Sequence, residues 1–125
     1  MSKTRKVLVV DNDLMLLGII SDALREEGYM VRNAMDGRDA LDEIRKDPPD
    51  ILFTDLVMPK ISGDLLIQYV RENERYSHMI IVVVSGAINE YLSGKDLAAD
   101  YYIEKSDADT LQAGVKEICR QIHGP

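Results

Sequence analysis

The sequence predicts an α/β protein: a five-stranded parallel sheet, doubly wound, with helices on both faces. Two observations carry this prediction. Five short runs that read as strands alternate with stretches of helical periodicity, and two of them, Val7–Val10 and Met79–Val84, are apolar throughout instead of alternating with polar residues. Strands that helices cover from both sides have this composition. Right-handed crossovers leave few topologies for such a chain, and the order 2-1-3-4-5 is adopted as the expected one.

Each element has its own local signal. The predicted strands are Val7–Val10, Tyr29–Ala34, Ile51–Thr54, Met79–Val84 and Tyr101–Ile103. Helices are expected between them, with Asp13, Ser62 and Asp107 as capping residues, and Gly28 and Pro48-Pro49 as stop signals for the first two. The apolar side chains predicted to face inward from the third and last helices are Leu65, Leu66, Val70, Leu111, Val115, Ile118, Cys119 and Ile122. A helix over residues 88–98 is the weakest, since Gly94 costs about 1 kcal/mol relative to Ala.

Composition narrows the function. The 125 residues suit one domain, 1–125. A net charge of −7 argues against a surface that neutralises nucleic-acid phosphates. No apolar run reaches the length of a membrane span, and no secretory signal is present, so we expect a cytoplasmic protein that contacts neither nucleic acid nor membrane. The lone Cys119 allows no internal disulfide and is expected to be buried.

Polar side chains follow four of the predicted strands. They are Asp11-Asn12-Asp13, Asp55, Ser85-Gly86 and Glu104-Lys105-Ser106. Because the carboxyl ends of parallel strands share one edge, these groups should gather around one crevice. Asp11 and Asp55 offer the oxygen ligands that Mg²⁺ takes from proteins, and carboxylates can accept phosphoryl groups. Lys105 would add a positive charge, and Ser85 a hydroxyl donor for a phosphoryl oxygen.

Structural roles alone would account for some of these residues. Asp11 and Asp13 could serve only as helix caps. An enzyme is also conceivable, because Asp11-Asn12-Asp13 fits the Asp-x-Asp turn of haloacid-dehalogenase-type phosphatases, with Asp11 as nucleophile and Asp13 as general acid. That alternative leaves Asp55 unexplained, and no paired acids follow a later strand.

The sequence resembles the receiver, or response-regulator, family of two-component signalling over nearly its whole length. The resemblance lies in Val9–Asp13, in Asp50–Pro59 followed by Gly63, in Val84–Gly86, in Tyr101–Lys105 and in Ala34–Leu41. It implies a flavodoxin-like fold and a regulatory domain, not an enzyme acting on other substrates.

The resemblance also implies roles for individual residues. Asp55 would accept a phosphoryl group from a histidine kinase or phosphotransfer protein. Mg²⁺, or another divalent cation, would bind Asp11, Asn12, Asp55 and the backbone carbonyl of Val57. Ser85 and Lys105 would engage the phosphoryl group, and Tyr102 would be an aromatic switch that follows Ser85. The output would pass to a downstream protein target or to an output domain that is missing after Pro125.

Two substitutions depart from the family pattern. Asn12 stands where a second metal-binding acid is usual, so Mg²⁺ affinity is expected to fall. Ser106 stands where the family usually has proline after a cis bond. A cis bond before serine costs about 2.5–4 kcal/mol, so the Lys105–Ser106 bond is predicted to be trans. Both departures motivate a rival hypothesis, in which a degenerate receiver docks partners without being phosphorylated.

Overall fold

The computed structural model describes residues 5–86 and 97–123. The predicted helix over residues 88–98 therefore falls largely outside the described residues. In the described part the strands are β1 Lys6–Val10, β2 Met30–Ala34, β3 Ile51–Thr54, β4 Ile80–Ser85 and β5 Tyr101–Glu104. The α-helices are α1 Leu14–Glu26, α2 Gly37–Lys46, α3 Gly63–Glu72 and α4 Ala108–His123, and a short 3₁₀ helix spans Glu74–Tyr76.

All neighbouring strands pair in parallel, in the order β2-β1-β3-β4-β5, so the predicted topology is confirmed. Side chains of successive strand residues point to opposite faces, which divides the core in two. One cluster, around Val9, Phe53 and Val82, packs against α1 and α4. The other, around Leu8, Leu52 and Ile81, packs against α2 and α3. The three central strands β1, β3 and β4 are buried on both faces, as predicted, whereas the edge strands β2 and β5 are partly exposed.

The capping predictions are confirmed for two of three residues. Oδ1 of Asp13 accepts hydrogen bonds from the backbone N–H groups of Met15 and Leu16. Asp107 accepts one from the backbone of Thr110. Ser62 does occupy the N-cap position of α3, but its hydroxyl makes no capping bond and lies 2.5 Å from Oδ1 of Asp64 instead. The role predicted for the Ser62 side chain was therefore wrong.

The predicted face of α3 is wrong at one position. Leu65 is 54% exposed, whereas Ile67 packs into the core beside Leu66 and Val70. Three apolar residues in a row leave the helical face ambiguous in the sequence. The residues that are buried, Gly63, Leu66, Ile67 and Val70, follow the helical spacing i, i+3, i+4 and i+7.

The last helix follows its prediction closely. Leu111, Val115, Ile118 and Cys119 are buried, and Cys119 is a free thiol. Burial raises the pKa of this thiol to about 11, so Cys119 acts as a small core side chain. No described peptide bond is cis, which confirms a trans Lys105–Ser106 bond. Within the described ranges, no helix has the length and apolar character needed to cross a membrane.

Candidate functional site

The carboxyl ends of β1, β3, β4 and β5 bring the predicted acids, hydroxyl and amine to one edge of the sheet. The backbone N–H of Asp55 donates to Val10 O at 3.1 Å, which places Asp55 beside the turn that carries Asp11. The backbone N–H of Lys105 donates to Ser85 O at 3.1 Å. The ladder between neighbouring strands thus continues just beyond their ends and fixes the site.

Lys105 joins the two acids. Its Nζ lies 2.8 Å from Oδ2 of Asp55, where it donates a hydrogen bond, and 3.0 Å from Oδ2 of Asp11. Both carboxylates are buried, with Asp11 1% and Asp55 6% exposed. The prediction that these three residues meet is confirmed by the geometry. One ammonium faces two carboxylates, so the cluster keeps one uncompensated negative charge.

The main chain holds one oxygen of each carboxylate. Oδ1 of Asp11 accepts from the backbone N–H of Asp13 at 2.9 Å, and Oδ1 of Asp55 accepts from that of Leu56 at 2.7 Å. The remaining oxygen of Asp11, Oδ2, has the ammonium nearby but no hydrogen bond within the described part of the chain. The ammonium 3.0 Å away, which this oxygen shares with Asp55, therefore provides its charge compensation. A carboxylate oxygen in this position could also bind a hard cation such as Mg²⁺.

Burial and charge shift two pKa values at this site. Burial raises the pKa of Asp11 above its ordinary value, although the bond from Asp13 and the nearby Lys105 oppose the shift. Burial lowers the pKa of Lys105, but the two neighbouring carboxylates outweigh it, so the net shift is upward. Lys105 therefore remains a cation at neutral pH.

The other predicted site residues lie on the same strands or in the turns that follow them. Ser85, the last residue of β4, is 2% exposed. Asn12 is exposed at the rim, in the turn between Asp11 and α1. Val57 lies two residues after Asp55, and its side chain is 64% exposed. Tyr102 on β5 is 38% exposed, and its hydroxyl donates to Leu97 O at 3.0 Å.

The donor set fits a magnesium ion but does not by itself enclose one. The described residues contain no group of three or more His, Cys, Asp and Glu side chains arranged around a common point. Mg²⁺ is usually held by one or two carboxylates, with water and phosphate oxygens completing the shell. Asp11 and Asp55 supply two carboxylates, and among the described residues Oδ2 of Asp11 has the Lys105 ammonium 3.0 Å away but accepts no well-aligned hydrogen bond.

Two supporting contacts were not predicted from the sequence. A Cβ atom added to Gly63 would lie 2.0 Å from Asp55 O, so only glycine lets α3 approach the turn after β3. Lys60 in that turn has a φ of 70°, and its Nζ lies 3.4 Å from Oδ2 of Asp36. This ion pair links the turn to the capping residue of α2. The local sequence, a lysine after a proline, predicts neither the positive φ of Lys60 nor its ion pair with Asp36.

Known proteins resemble this chain over most of its length. The model of the response regulator receiver domain family matches residues 7–116. The sensor histidine kinase TmoS of Ectopseudomonas mendocina is 37% identical over 116 residues, which are 90% of this chain and 12% of TmoS. The chain spans about half the length of other curated relatives that it matches.

Two solved structures show the same fold. The chemotaxis response regulator CheY4 of Vibrio cholerae has a TM-score of 0.79 and 26% identity, covering 93% of this chain and 99% of CheY4. The phosphorylated cyanobacterial phytochrome response regulator RcpA has a TM-score of 0.84 and 26% identity, covering 93% of this chain and 91% of RcpA.

Proposed function

The chain belongs to the response regulator receiver domain family, and we propose that it takes a phosphoryl group on Asp55 from the phosphohistidine of a histidine kinase or phosphotransfer protein. The family is regulatory, and the proposed chemistry is confined to the domain's own phosphorylation and dephosphorylation. The observation that carries the proposal is the buried Asp55 carboxylate, whose Oδ2 is 2.8 Å from the Lys105 ammonium. The phosphorylated relative RcpA supports it.

The transfer is a displacement at phosphorus. An oxygen of the Asp55 carboxylate forms the new O–P bond while the P–N bond of the donor phosphohistidine breaks. The bonding electron pair leaves with the imidazole nitrogen. Little covalent chemistry is left for the protein, so positioning and charge stabilisation carry the rate. Lys105 would stabilise the phosphoryl oxygens, and the buried hydroxyl of Ser85 would donate a hydrogen bond to one of them.

A magnesium ion would supply the positive charge that offsets repulsion between Asp55 and the incoming phosphoryl group. Asp11, Asp55 and Asn12 would hold it through their side-chain oxygens, and Val57 through its backbone carbonyl. Support for this comes from the negative charge of the cluster, in which two buried carboxylates share the single Lys105 ammonium. Asn12 contributes an oxygen without a charge, so this site should bind Mg²⁺ more weakly than one with a third carboxylate.

The output would be a change at a protein-binding face. We place that face on β5 and α4, with Ser85 and Tyr102 as its switch, because β5 pairs with β4 and carries Tyr102 beside Val83 in register. The recipient would be a downstream protein or an output domain outside residues 1–125, which form one receiver domain in this proposal. The chain would act in the cytoplasm, where ATP charges histidine kinases.

Two other functions give different experimental results. A degenerate receiver would dock partners without phosphorylation, and Asn12 and Ser106 are its motive. A haloacid-dehalogenase-type phosphatase would need Asp13 as a free general acid. Here Oδ1 of Asp13 accepts two backbone hydrogen bonds as the cap of α1, so this alternative is disfavoured.

Incubation with acetyl phosphate and Mg²⁺, followed by intact mass spectrometry, tests the proposal. The wild-type protein should gain the mass of one phosphoryl group, and Asp55→Asn should gain none. Asp13→Asn is the matched control, since an asparagine caps a helix as well as an aspartate does. A gain of mass by Asp55→Asn at the wild-type rate would refute the assignment. A wild-type protein that gains no mass would favour the docking module.

A further inference from the structure

A cavity of about 670 Å³ opens at the edge of the sheet opposite the phosphoacceptor site. Its walls are formed where β1, β3 and β4 begin, by the 3₁₀ helix, and by the end of α4. This volume is within the range of small-molecule sites, about 300–1,000 Å³. None of the residues discussed for phosphoryl transfer lines it.

Two guanidinium groups and one carboxylate line the described walls of the cavity, which makes their charge balance positive in a chain with a net charge of −7. Arg5, Arg75, His78 and His123 all line it. The carboxylate among the described lining residues is that of Asp50, and its Oδ2 already accepts a hydrogen bond from the backbone of Lys6 at 2.8 Å. The walls therefore carry a positive balance.

The two guanidinium groups have no anionic partner among the described residues. Within residues 5–86 and 97–123, neither Arg5 nor Arg75 forms an ion pair or donates a side-chain hydrogen bond. By contrast, the guanidinium of Arg71 on α3 donates hydrogen bonds to three backbone carbonyl groups and to the carboxylate of Asp100. The carboxyl ends of helices, with their free carbonyl groups, point to this edge of a parallel sheet. Within the described residues, neither Arg5 nor Arg75 donates a hydrogen bond to such a group.

Aromatic contacts hold the side chains of Arg75 and His123 in place. The guanidinium carbon of Arg75 is 5.5 Å from the ring centre of the buried Tyr76, a cation–π geometry. The His123 ring stacks on Tyr29, and its Nε2 is 2.7 Å from the Tyr29 hydroxyl. Groups that are already ordered lose less entropy when they bind a ligand.

The rest of the wall is apolar. Pro48, Pro49, Met79 and Ile80 line it, together with Tyr76. A site that combines such a wall with a few convergent polar groups suits a ligand that has a compact apolar body and a charged end. Inorganic phosphate alone would use only part of the cavity.

We propose that this cavity binds a small organic anion, with an aromatic or aliphatic body on the proline wall and a phosphate or carboxylate group between Arg5 and Arg75. Guanidinium groups match the planar, two-oxygen edge of both anions. The site is separate from phosphoryl transfer on Asp55 and does not depend on it.

Titrations followed by ¹H–¹⁵N NMR test the proposal, with phenyl phosphate, benzoate and phenol as probes. Both anions should shift the amide signals of His78, Met79 and Ile80, phenyl phosphate at the lower concentration. Neutral phenol should bind at least about tenfold more weakly than phenyl phosphate, because charge-assisted hydrogen bonds are lost. The two anionic probes distinguish a phosphate ligand from a carboxylate ligand.

Variants separate the cavity from general charge effects. Arg5→Gln and Arg75→Gln should each weaken phenyl phosphate binding about tenfold. Arg38→Gln, which removes an exposed charge from the first turn of α2, should leave it unchanged. Circular dichroism checks that each variant is folded. The two arginines lie far apart in sequence, Arg5 just before β1 and Arg75 in the 3₁₀ helix, so the two variants are independent tests. Equal binding of phenol, unchanged affinity in both variants, or shifts confined to the signals around Asp55 would each overturn the proposal.

Discussion

Replacing Gly63 with alanine should damage the phosphoacceptor turn without touching any charged group. The added Cβ would lie 2.0 Å from Asp55 O and 2.8 Å from the Cα of Leu56. Real Cβ contacts essentially never fall below 3.0 Å. Both obstructing atoms belong to the backbone, so no side-chain rotation relieves the overlap. The start of α3 and the turn after β3 must separate by about 1 Å, which strains the 2.8 Å hydrogen bond from Gly63 N–H to Leu56 O.

The expected cost follows from this displacement. Overpacking of a well-packed region typically costs about 1–3 kcal/mol, and we expect Gly63→Ala to lower the free energy of unfolding by that amount. The carbonyl that must move belongs to Asp55 itself. A misplacement of about 1 Å at a reacting group can cost about a hundredfold in rate, so the rate of phosphorylation by acetyl phosphate should fall by about 10- to 100-fold.

Gly18→Ala is the matched control. Gly18 lies inside α1, and a Cβ atom there would meet nothing within 4 Å. Alanine should therefore stabilise the protein by about 0.5–1 kcal/mol and leave phosphorylation unchanged. Urea unfolding gives the two stabilities, and mass spectrometry gives the two rates. If Gly63→Ala matched Gly18→Ala in both, the close approach of α3 to the turn would have no energetic meaning.

Three further predictions concern the metal, the lifetime of the phosphorylated state and alkaline pH. Asn12→Asp should tighten Mg²⁺ binding by adding an anionic ligand, and it should lower stability without metal because like charges then crowd together; equal or weaker affinity in a Mg²⁺ titration would remove this account. Val57→Asn should speed loss of phosphate, because an amide can orient attacking water and valine cannot; an unchanged decay rate of the phosphorylated mass would contradict it. Burial raises the pKa of Cys119 from 9.0 to about 11 and that of Tyr29 from 10.0 to about 12. As the pH rises, both groups ionise at a lower pH in the unfolded chain than in the folded protein. Their contribution to the free energy of unfolding is therefore complete below about pH 9 and should be lost between pH 9 and 12. Urea unfolding at pH 8 and at pH 10.5 should show a smaller loss of stability for Cys119→Ala than for the wild type.

The main features of the fold and site were predictable from the sequence because polar residues mark the end of each apolar run, and these runs form the strands. Ile51–Thr54 is predicted and observed with the same bounds, since four apolar or β-branched residues lie between Asp50 and Asp55. Parallel strands have their carboxyl ends at one edge of the sheet. The proximity of Asp11, Asp55 and Lys105 therefore follows from their positions just after three of the strands. Strand ends are a local signal, and the edge they share follows from topology alone.

Features that depend on the packing of one element against another were not predictable. The exposed position of Leu65 depends on how α3 is rotated against the sheet, and three consecutive apolar residues do not fix that rotation. The positive φ of Lys60 and its contact with Asp36 arise where the turn after β3 meets the start of α2. The cavity joins residues from four distant parts of the chain, so no local pattern announces it.

The two ends of the central strands carry different chemistry for one physical reason. β1, β3 and β4 are buried on both faces, and an unpaired polar group inside them would lose its hydration without compensation. Polar residues therefore concentrate at the ends of each strand and just beyond them. Arg5 and Asp50 precede β1 and β3, while Asp11 and Asp55 follow them. β4 spans six residues, roughly 20 Å at about 3.3 Å per residue, and substitutions so far apart usually act independently. A change at the arginine cavity should consequently leave Asp55 chemistry intact, and each proposal can fail without the other.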